Sequence, residues 1–316
     1  AENIVKLVAA SISVPDNVDR LIDNYQIQHK INFHVKQREA IKNSLTSPFS
    51  IITGGPGTGK TTVINCIKSI FQEIHGKYAR ISLLAPTGRA AKRMSETSGM
   101  NASTIHSALG IRPNSSFVEE GVLSEEKLII VDEVSMVDSN VANLLFKSVA
   151  PGTQVVVIGD KDQLEAVGPG NVLAEMLKSN VVPYVMLERG YRASKDSSII
   201  ENAEAINRGL NNNIIYDDSF TFIQTSGAKD SQETAVRAFA ENVTLYGIDE
   251  VMYLSPYRKE GMETNVNSIN PVLRETVHPM NPNTAFKVKA KAYDIGNKVM
   301  CMRNTHFAQN GEIGYI

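Results

Sequence analysis

Apolar positions fall into two rhythms along the first two thirds of the chain. Four short runs are nearly all apolar and rich in β-branched residues: FSIIT (49–53), ISLLA (81–85), KLIIVD (127–132) and QVVVIGD (154–160). Each is bounded by turn residues, the pattern of parallel strands buried on both faces. Between and after them lie amphipathic stretches with helical spacing, from Thr61 to Ile74, Arg89 to Glu96, Ser139 to Val149 and Asn171 to Lys178. This alternation predicts an α/β fold, a doubly wound parallel sheet with helices on both faces. Ligands of such sheets sit at the carboxyl ends of the strands. Ahead of the sheet, Leu7, Val8, Leu21 and Ile22 stand at helix-like spacing and predict a small helical lead-in over residues 1–32.

Beyond Arg189 the pattern changes. Helices are expected around 198–208, over 231–245 and near 261–276, with a polar loop at Asn211–Asn213 and a strand at VMYLS (251–255). From Phe286 to Ile316, FKVKAKAYDI alternates, GNKVMCM alternates loosely and NGEIG is a turn signal, so this tail reads as β-ribbon. The expected organisation is a lead-in (1–32), a first domain (33–188) and a second, incomplete domain with a β-rich tail (189–316).

Composition narrows the function. With 316 residues, 42% of them hydrophobic, the chain can build two cored domains. Lys and Arg number 32 against 34 Asp and Glu, so bulk positive charge does not hold a polyanion and any such site is a local patch. Cys66 and Cys301 are too far apart for a disulfide framework or metal cluster, which fits a reducing, cytoplasmic setting. No apolar run approaches the roughly 20 residues of a membrane span, so no membrane partner is expected. The start, AENIVKLVAASISV, has no initiator Met and lacks the basic start and apolar core of a signal peptide, which points to a processed or cut-out piece.

The strongest chemical signal is Gly54-Gly55-Pro56-Gly57-Thr58-Gly59-Lys60-Thr61-Thr62, between an expected strand and an expected helix. Its glycines let successive N–H groups point inward, and the helix N-terminus adds partial positive charge. Gly55, Gly57, Thr58, Gly59, Lys60, Thr61 and Thr62 would cradle the phosphates of ATP, with Lys60 on the β- and γ-phosphates and the Thr61 hydroxyl on Mg²⁺. The second signal is Asp132-Glu133 after four apolar residues. In a strand the two carboxylates point to opposite faces and take separate roles. Asp132 would hold Mg²⁺ through water, and Glu133 would act as general base on the attacking water. Gln163, after the run ending Gly159-Asp160, would meet the γ-phosphate or that water. Alone, the acid pair reads equally well as a helix-capping loop, and Gln163 as a solvated loop residue.

Together these residues resemble the RecD-like (RecD/TraA) branch of superfamily-1 DNA helicases. The resemblance runs in order through VKQREAI (35–41), GGPGTGKTT, LLAPTGRAAKRM (83–94), STIHSALG (103–110), VDEVSMVD (131–138), GDKDQLEAVGPG (159–170), LERGYRAS (187–194), LSPYRKEG (254–261) and GNKVMCMRN…NGEIG (296–314). It implies two RecA-like domains with ATP between them, and duplex DNA unwinding driven by ATP hydrolysis, 5′ to 3′ along single strands. Gln37 would read the adenine base and Arg192 would be the arginine finger, a planar permanent charge suited to a phosphoryl group. Arg258 divides evenly between a phosphate contact and structural pairing. Thr87, Arg89, Lys92, Arg93, Thr104 and His106 would lie under the single strand. Lys92 and Arg93 read alternatively as a solvated helix face. Lys287, Lys289 and Lys291, on one face of an expected strand, line a DNA track or protect an edge. Residues 111–122 would be a small wedge hairpin. Expected partners are single-stranded DNA, duplex junctions and nuclease or recombination subunits.

The pattern departs from the family near its end. Two further family motifs, of the Ala-Ile-Thr-x-His-Lys-x-Gln-Gly and Thr-x-x-Thr-Arg-Ala types, do not occur. The chain is therefore expected to bind nucleotide through its first domain but not to translocate. Competing readings are a conjugative TraA-type protein, a protein-remodelling ATPase that never touches DNA, and a nucleotide-binding scaffold in a nuclease complex. No carboxylate–lysine cluster suggests nuclease activity in this chain.

Overall fold

The computed structural model describes residues 1–111, 122–188, 198–257, 263–288, 291–302, 305, 307, 308 and 311–316. The expected wedge hairpin apart from its two ends, and Arg192, Arg258 and Lys289, lie outside the described residues. The chain divides into two compact units, Ala1–Asp196 and Ser197–Ile316.

In the first unit the elements run α1 (Glu2–Val8), α2 (Val18–His29), α3 (Val35–Thr46), β1 (Phe49–Thr53), α4 (Lys60–His75), β2 (Ile81–Ala85), α5 (Gly88–Ser98), β3 (Ala102–Thr104), α6 (Ile105–Ala108), β4 (Leu128–Val131), a 3-10 turn (Val134–Met136), α7 (Ser139–Lys147), β5 (Gln154–Gly159), α8 (Val172–Ser179) and β6 (Tyr184–Met186). The strands form one parallel sheet in the order β3-β2-β4-β5-β1-β6. β1, β4 and β5 are buried at every position, so their sequences show no alternation. Successive side chains enter opposite cores. Ile52, Ile130, Val156 and Ile158 pack with α2, α3, α4 and α5, while Ile51, Ile129, Val131 and Val157 pack with α1, α7 and α8. The lead-in helices thus belong to this unit, one on each face. Cys66 is core in α4, and burial pushes its thiol up to about 12.

Polar residues set the helix starts. Thr87 caps α5, Asp138 caps α7 and Asn171 caps α8, each accepting from a backbone N–H of the first turn. α3 begins with a capping box in which the N-cap is His34. Its backbone N–H donates to Gln37 Oε1 at 2.9 Å.

The second unit contains α9 (Ser198–Asn207), a 3-10 turn where a polar loop was expected (Asn211–Asn213), α10 (Ala228–Tyr246), α11 (Val266–Val277), and two antiparallel ribbons. The ribbons pair β7 (Phe286–Val288) with β8 (Lys291–Tyr293), and β9 (Lys298–Met300) with β10 (Ile313–Tyr315). Two expectations fail here. Residues 251–255 form no strand: no neighbouring strand offers a ladder among the described residues, and Leu254 is 80% exposed. The β-ribbon expected from Phe286 is present as a hairpin, with Lys287 opposite Ala292 and Val288 opposite Lys291, so what fails is the single strand with one lysine face. Cross-strand partners share a face and neighbours along a strand do not, so Lys287 and Lys291 lie on opposite faces. The apolar–polar alternation of the sequence runs on unbroken while the pairing exchanges the faces, so alternation alone hid the hairpin.

Candidate functional site

The carboxyl ends of the strands carry the candidate residues, ordered by sheet topology. From one edge to the other come Thr104 and His106 after β3, Thr87 and Arg89 after β2, Asp132 and Glu133 after β4, Asp160 and Gln163 after β5, and Gly54–Thr62 after β1. β5 separates the acid pair from the glycine loop. Two strand spacings of about 4.8 Å leave roughly 10 Å between them, room for a polyphosphate.

The loop between β1 and α4 is held by its own backbone. Thr58 Oγ1 donates to Gly55 O at 2.9 Å, and Lys60 Nζ donates to Gly54 O at 2.5 Å and Gly55 O at 3.3 Å. Gly54 N donates to Gly159 O at 3.3 Å, tying the loop to β5. A side chain at Gly54 would bring its Cβ within 2.8 Å of Leu187 O. Gly59 starts α4 at φ +85°, a left-handed conformation, and a Cβ there would collide with the Gln37 amide. Thr61 and Thr62 are exposed on the first turn of α4.

Gln37 does more than its motif suggests. Its Nε2 donates to Thr58 O at 2.9 Å while its Oε1 accepts from His34 N. Both ends of the amide are bound to backbone, so reading a base requires it to release them.

Asp132 and Glu133 lie just past β4, and strand alternation does not govern them. Asp132 N donates to Leu84 O at 2.9 Å. Glu133 takes a left-handed conformation, φ 55° and ψ 38°, uncommon outside glycine, and its N–H donates to Asp132 Oδ1 at 2.9 Å. Burial raises the Asp132 pKa, against the Glu133 N–H, Lys60 and Arg93, which lower it. Glu133 is raised by burial first and then by Asp132, with Lys60 and Arg93 opposing and Asp160 adding. The two carboxylates therefore share one electrostatic site with Lys60, although their roles can still differ.

The stretch after β5 is organised by buried Asp160, whose Oδ1 accepts from Asp162 N at 3.0 Å. Gln163 is exposed, with its backbone N donating to Asp160 O. Further along, Gly168 and Gly170 press on Asp138 and Ser139, and Ser139 N donates to Pro169 O at 2.9 Å. This seam joins the segments after β4 and β5. The sequence reading missed it, and the glycine–proline–glycine run was its signal. Toward the far edge, the Thr87 and Thr104 hydroxyl oxygens each accept from a helix N–H, which leaves their protons to donate elsewhere. Arg89, Lys92, Arg93 and His106 are exposed.

A magnesium ion keeps several waters and takes one or two carboxylates plus phosphate oxygens. Asp132 and the Thr61 hydroxyl fit that need. Among the described residues no cluster of three or more His, Cys, Asp or Glu could hold a metal by itself. No helix among them is long and apolar enough to cross a membrane.

The glycine loop, its lysine and the acid pair on a parallel sheet define a phosphate-loop nucleotide-binding protein with a RecA-like first unit. A family profile described as an AAA domain matches residues 32–227. The chain belongs to that family. It is 31% identical over 217 residues to the RecBCD enzyme subunit RecD of Haemophilus influenzae, covering 61% of this chain and 33% of the relative. It is 35% identical over 159 residues to the ATP-dependent RecD2 DNA helicase of Deinococcus radiodurans, covering 50% of this chain and 22% of the relative. It is also 40% identical over 128 residues to the ATP-dependent DNA helicase dda of Enterobacteria phage T4, covering 38% and 28%. The chain thus spans a third or less of the length of these relatives.

Proposed function

We propose that the first unit binds ATP with Mg²⁺ and hydrolyses it to drive a DNA helicase of repair or recombination, moving 5′ to 3′ on single strands. The observation that carries this reading is the shared field of Lys60, Asp132 and Glu133 across β1, β5 and β4. The amides of Gly55, Gly57, Thr58 and Gly59 and the start of α4 hold the phosphates, and Lys60 and Thr62 add donors. Thr61 and Asp132 would hold the metal, which would supply neutralisation of phosphate charge. Glu133 takes the proton of a water whose oxygen bonds to the γ-phosphorus as the bond to the bridging oxygen breaks, giving ADP and phosphate. Gln163 orients that water. Arg192 supplies positive charge to the transferred phosphoryl group, and Gln37 swings from Thr58 to the base.

Thr87, Arg89, Lys92, Thr104 and His106 form the DNA-facing edge, because β2 and β3 lie beyond β4 from the glycine loop. They meet phosphates rather than bases, which suits a motor indifferent to sequence. The relatives named RecD support nuclease or recombination subunits as partners. Two cysteines, Cys66 and Cys301, far apart in sequence suit a cytoplasmic setting. The test is ATP hydrolysis by the full-length protein with and without single-stranded DNA. Strong stimulation, abolished by Lys60→Ala, is the expected result. DNA-independent turnover would favour a remodelling ATPase and overturn the motor.

A further inference from the structure

α4 and α5 leave the carboxyl ends of parallel strands on the same face of the sheet, so they run in the same direction. They are fastened along one seam. Asn65 Nδ2 on α4 donates to Thr97 O on α5 at 3.0 Å, and one turn further along Lys68 Nζ donates to Ser98 O. Following the seam back toward the glycine loop fixes what faces what. One turn before Asn65 on α4 stands Thr61, and one turn before Thr97 on α5 stands Arg93. The Thr97 hydroxyl donates to Arg93 O at 2.8 Å, in keeping with that one-turn relation. Helical side chains lean toward their own N-terminus. That lean is toward the N-terminal end of α5, the end nearer the loop and the strand ends.

We infer that Arg93 serves the triphosphate site from within the first unit, its guanidinium reaching the γ-phosphate side beside Thr61 and the acid pair, rather than gripping DNA. The inference rests on reading the Lys60 loop as a nucleotide cradle, and it assigns that cradle a further positive group. Arg93 acts on both Asp132 and Glu133, in the same sense as Lys60. Arg93 is exposed. A guanidinium offers paired donors to phosphoryl oxygens that an ammonium cannot match. The TGRAAK-R stretch is then divided by helix geometry: Arg93 is drawn to the nucleotide, while Thr87 and Arg89, at the outer end of α5, keep the DNA-facing edge.

The test uses the full-length protein with Arg93→Gln, Arg93→Lys, Arg89→Gln and Lys60→Ala, each checked for folding by circular dichroism. Affinities for ATPγS with Mg²⁺, for ADP and for single-stranded DNA across a salt series are measured. Arg93→Gln is expected to weaken ATPγS about tenfold, the loss of one charge-assisted contact, and ADP by roughly twofold or less. Its DNA affinity and salt slope should match the parent, and Arg93→Lys should recover part of the ATPγS loss. Arg89→Gln should show the reverse, a salt slope reduced by about one with nucleotide binding intact. Equal effects of Arg93→Gln on ATPγS and ADP, or a reduced salt slope, would overturn the assignment. If Lys60→Ala also leaves ATPγS binding unchanged, the cradle itself is misread. If Lys60→Ala abolishes binding and Arg93→Gln does nothing, only the Arg93 assignment falls.

Discussion

The two units organise their helices in opposite ways. In the first, α4 sinks Val63, Ile64, Cys66, Ile67, Ile70 and Phe71 into a core shared with the sheet. In the second, α10 is longer, 19 residues, and buries none of them. Leu245 near its end is 72% exposed. The contrast teaches where positional accuracy comes from. A site is held to sub-ångström tolerance by packing on both sides of the sheet. The glycine loop and the acid pair have that support, and no comparable frame surrounds α10 among the described residues.

The largest expected effect falls on chemistry in the first unit. Glu133→Gln should lower kcat for ATP about a hundredfold or more while leaving ATPγS affinity near the parent value, as removal of a general base does. Retained turnover would detach the acid pair from the reaction. Next comes packing. Ile158→Ala should destabilise the first unit by about 2–5 kcal/mol in chemical denaturation, whereas Leu245→Ala should change stability by no more than about 0.5 kcal/mol. Equal losses would erase the distinction between the units. Gln37→Ala should raise KM for ATP about fivefold, for one lost hydrogen bond, and change KM for GTP less. Equal rises for ATP and GTP would favour loop support over base reading.

The smallest effect lies in the second unit and depends on pH. Asp217 accepts from Ser219 Oγ, Ser198 Oγ and the N–H groups of Ser219 and Phe220, which hold its pKa near 2, below the ordinary 3.8. A lowered carboxylate pKa contributes stability above the unfolded value, and that contribution is lost as pH falls through the folded one. Acidification from about pH 4 toward 2 should loosen the Ser198–Phe220 turn, seen as faster amide exchange at Phe220, and Asp217→Asn should remove that dependence. An unchanged exchange rate would mean the turn stands without its carboxylate.

The same contrast explains what the sequence disclosed. FSIIT and ISLLA matched β1 and β2 residue for residue, because a strand buried on both faces, as all of β1 and the last three residues of β2 are, leaves a nearly continuous apolar run. β3 and β6, three residues each, left no such trace, since they border the sheet and take their ladders from β2 and β1. VMYLS carries the composition of a strand without a neighbour to pair with, and composition cannot report a missing neighbour. At the site, the phosphate loop was legible because its chemistry is local backbone. The left-handed turn at Glu133 was not, because nothing in a glutamate announces it. The Gln37–Thr58 bond spans 21 residues and starts from a histidine cap, outside the usual Ser, Thr, Asp and Asn vocabulary.

That bond ties two events together. One amide both fastens the first turn of α3 and restrains Thr58, so turning it toward a ligand forfeits two hydrogen bonds at about 1 kcal/mol each. Occupancy of the cleft would then register as fraying at the entrance of α3, and a chain stiffened at that entrance would resist filling. Affinity and local order at this corner are coupled variables, adjustable from a helix end that need not touch the reacting phosphate.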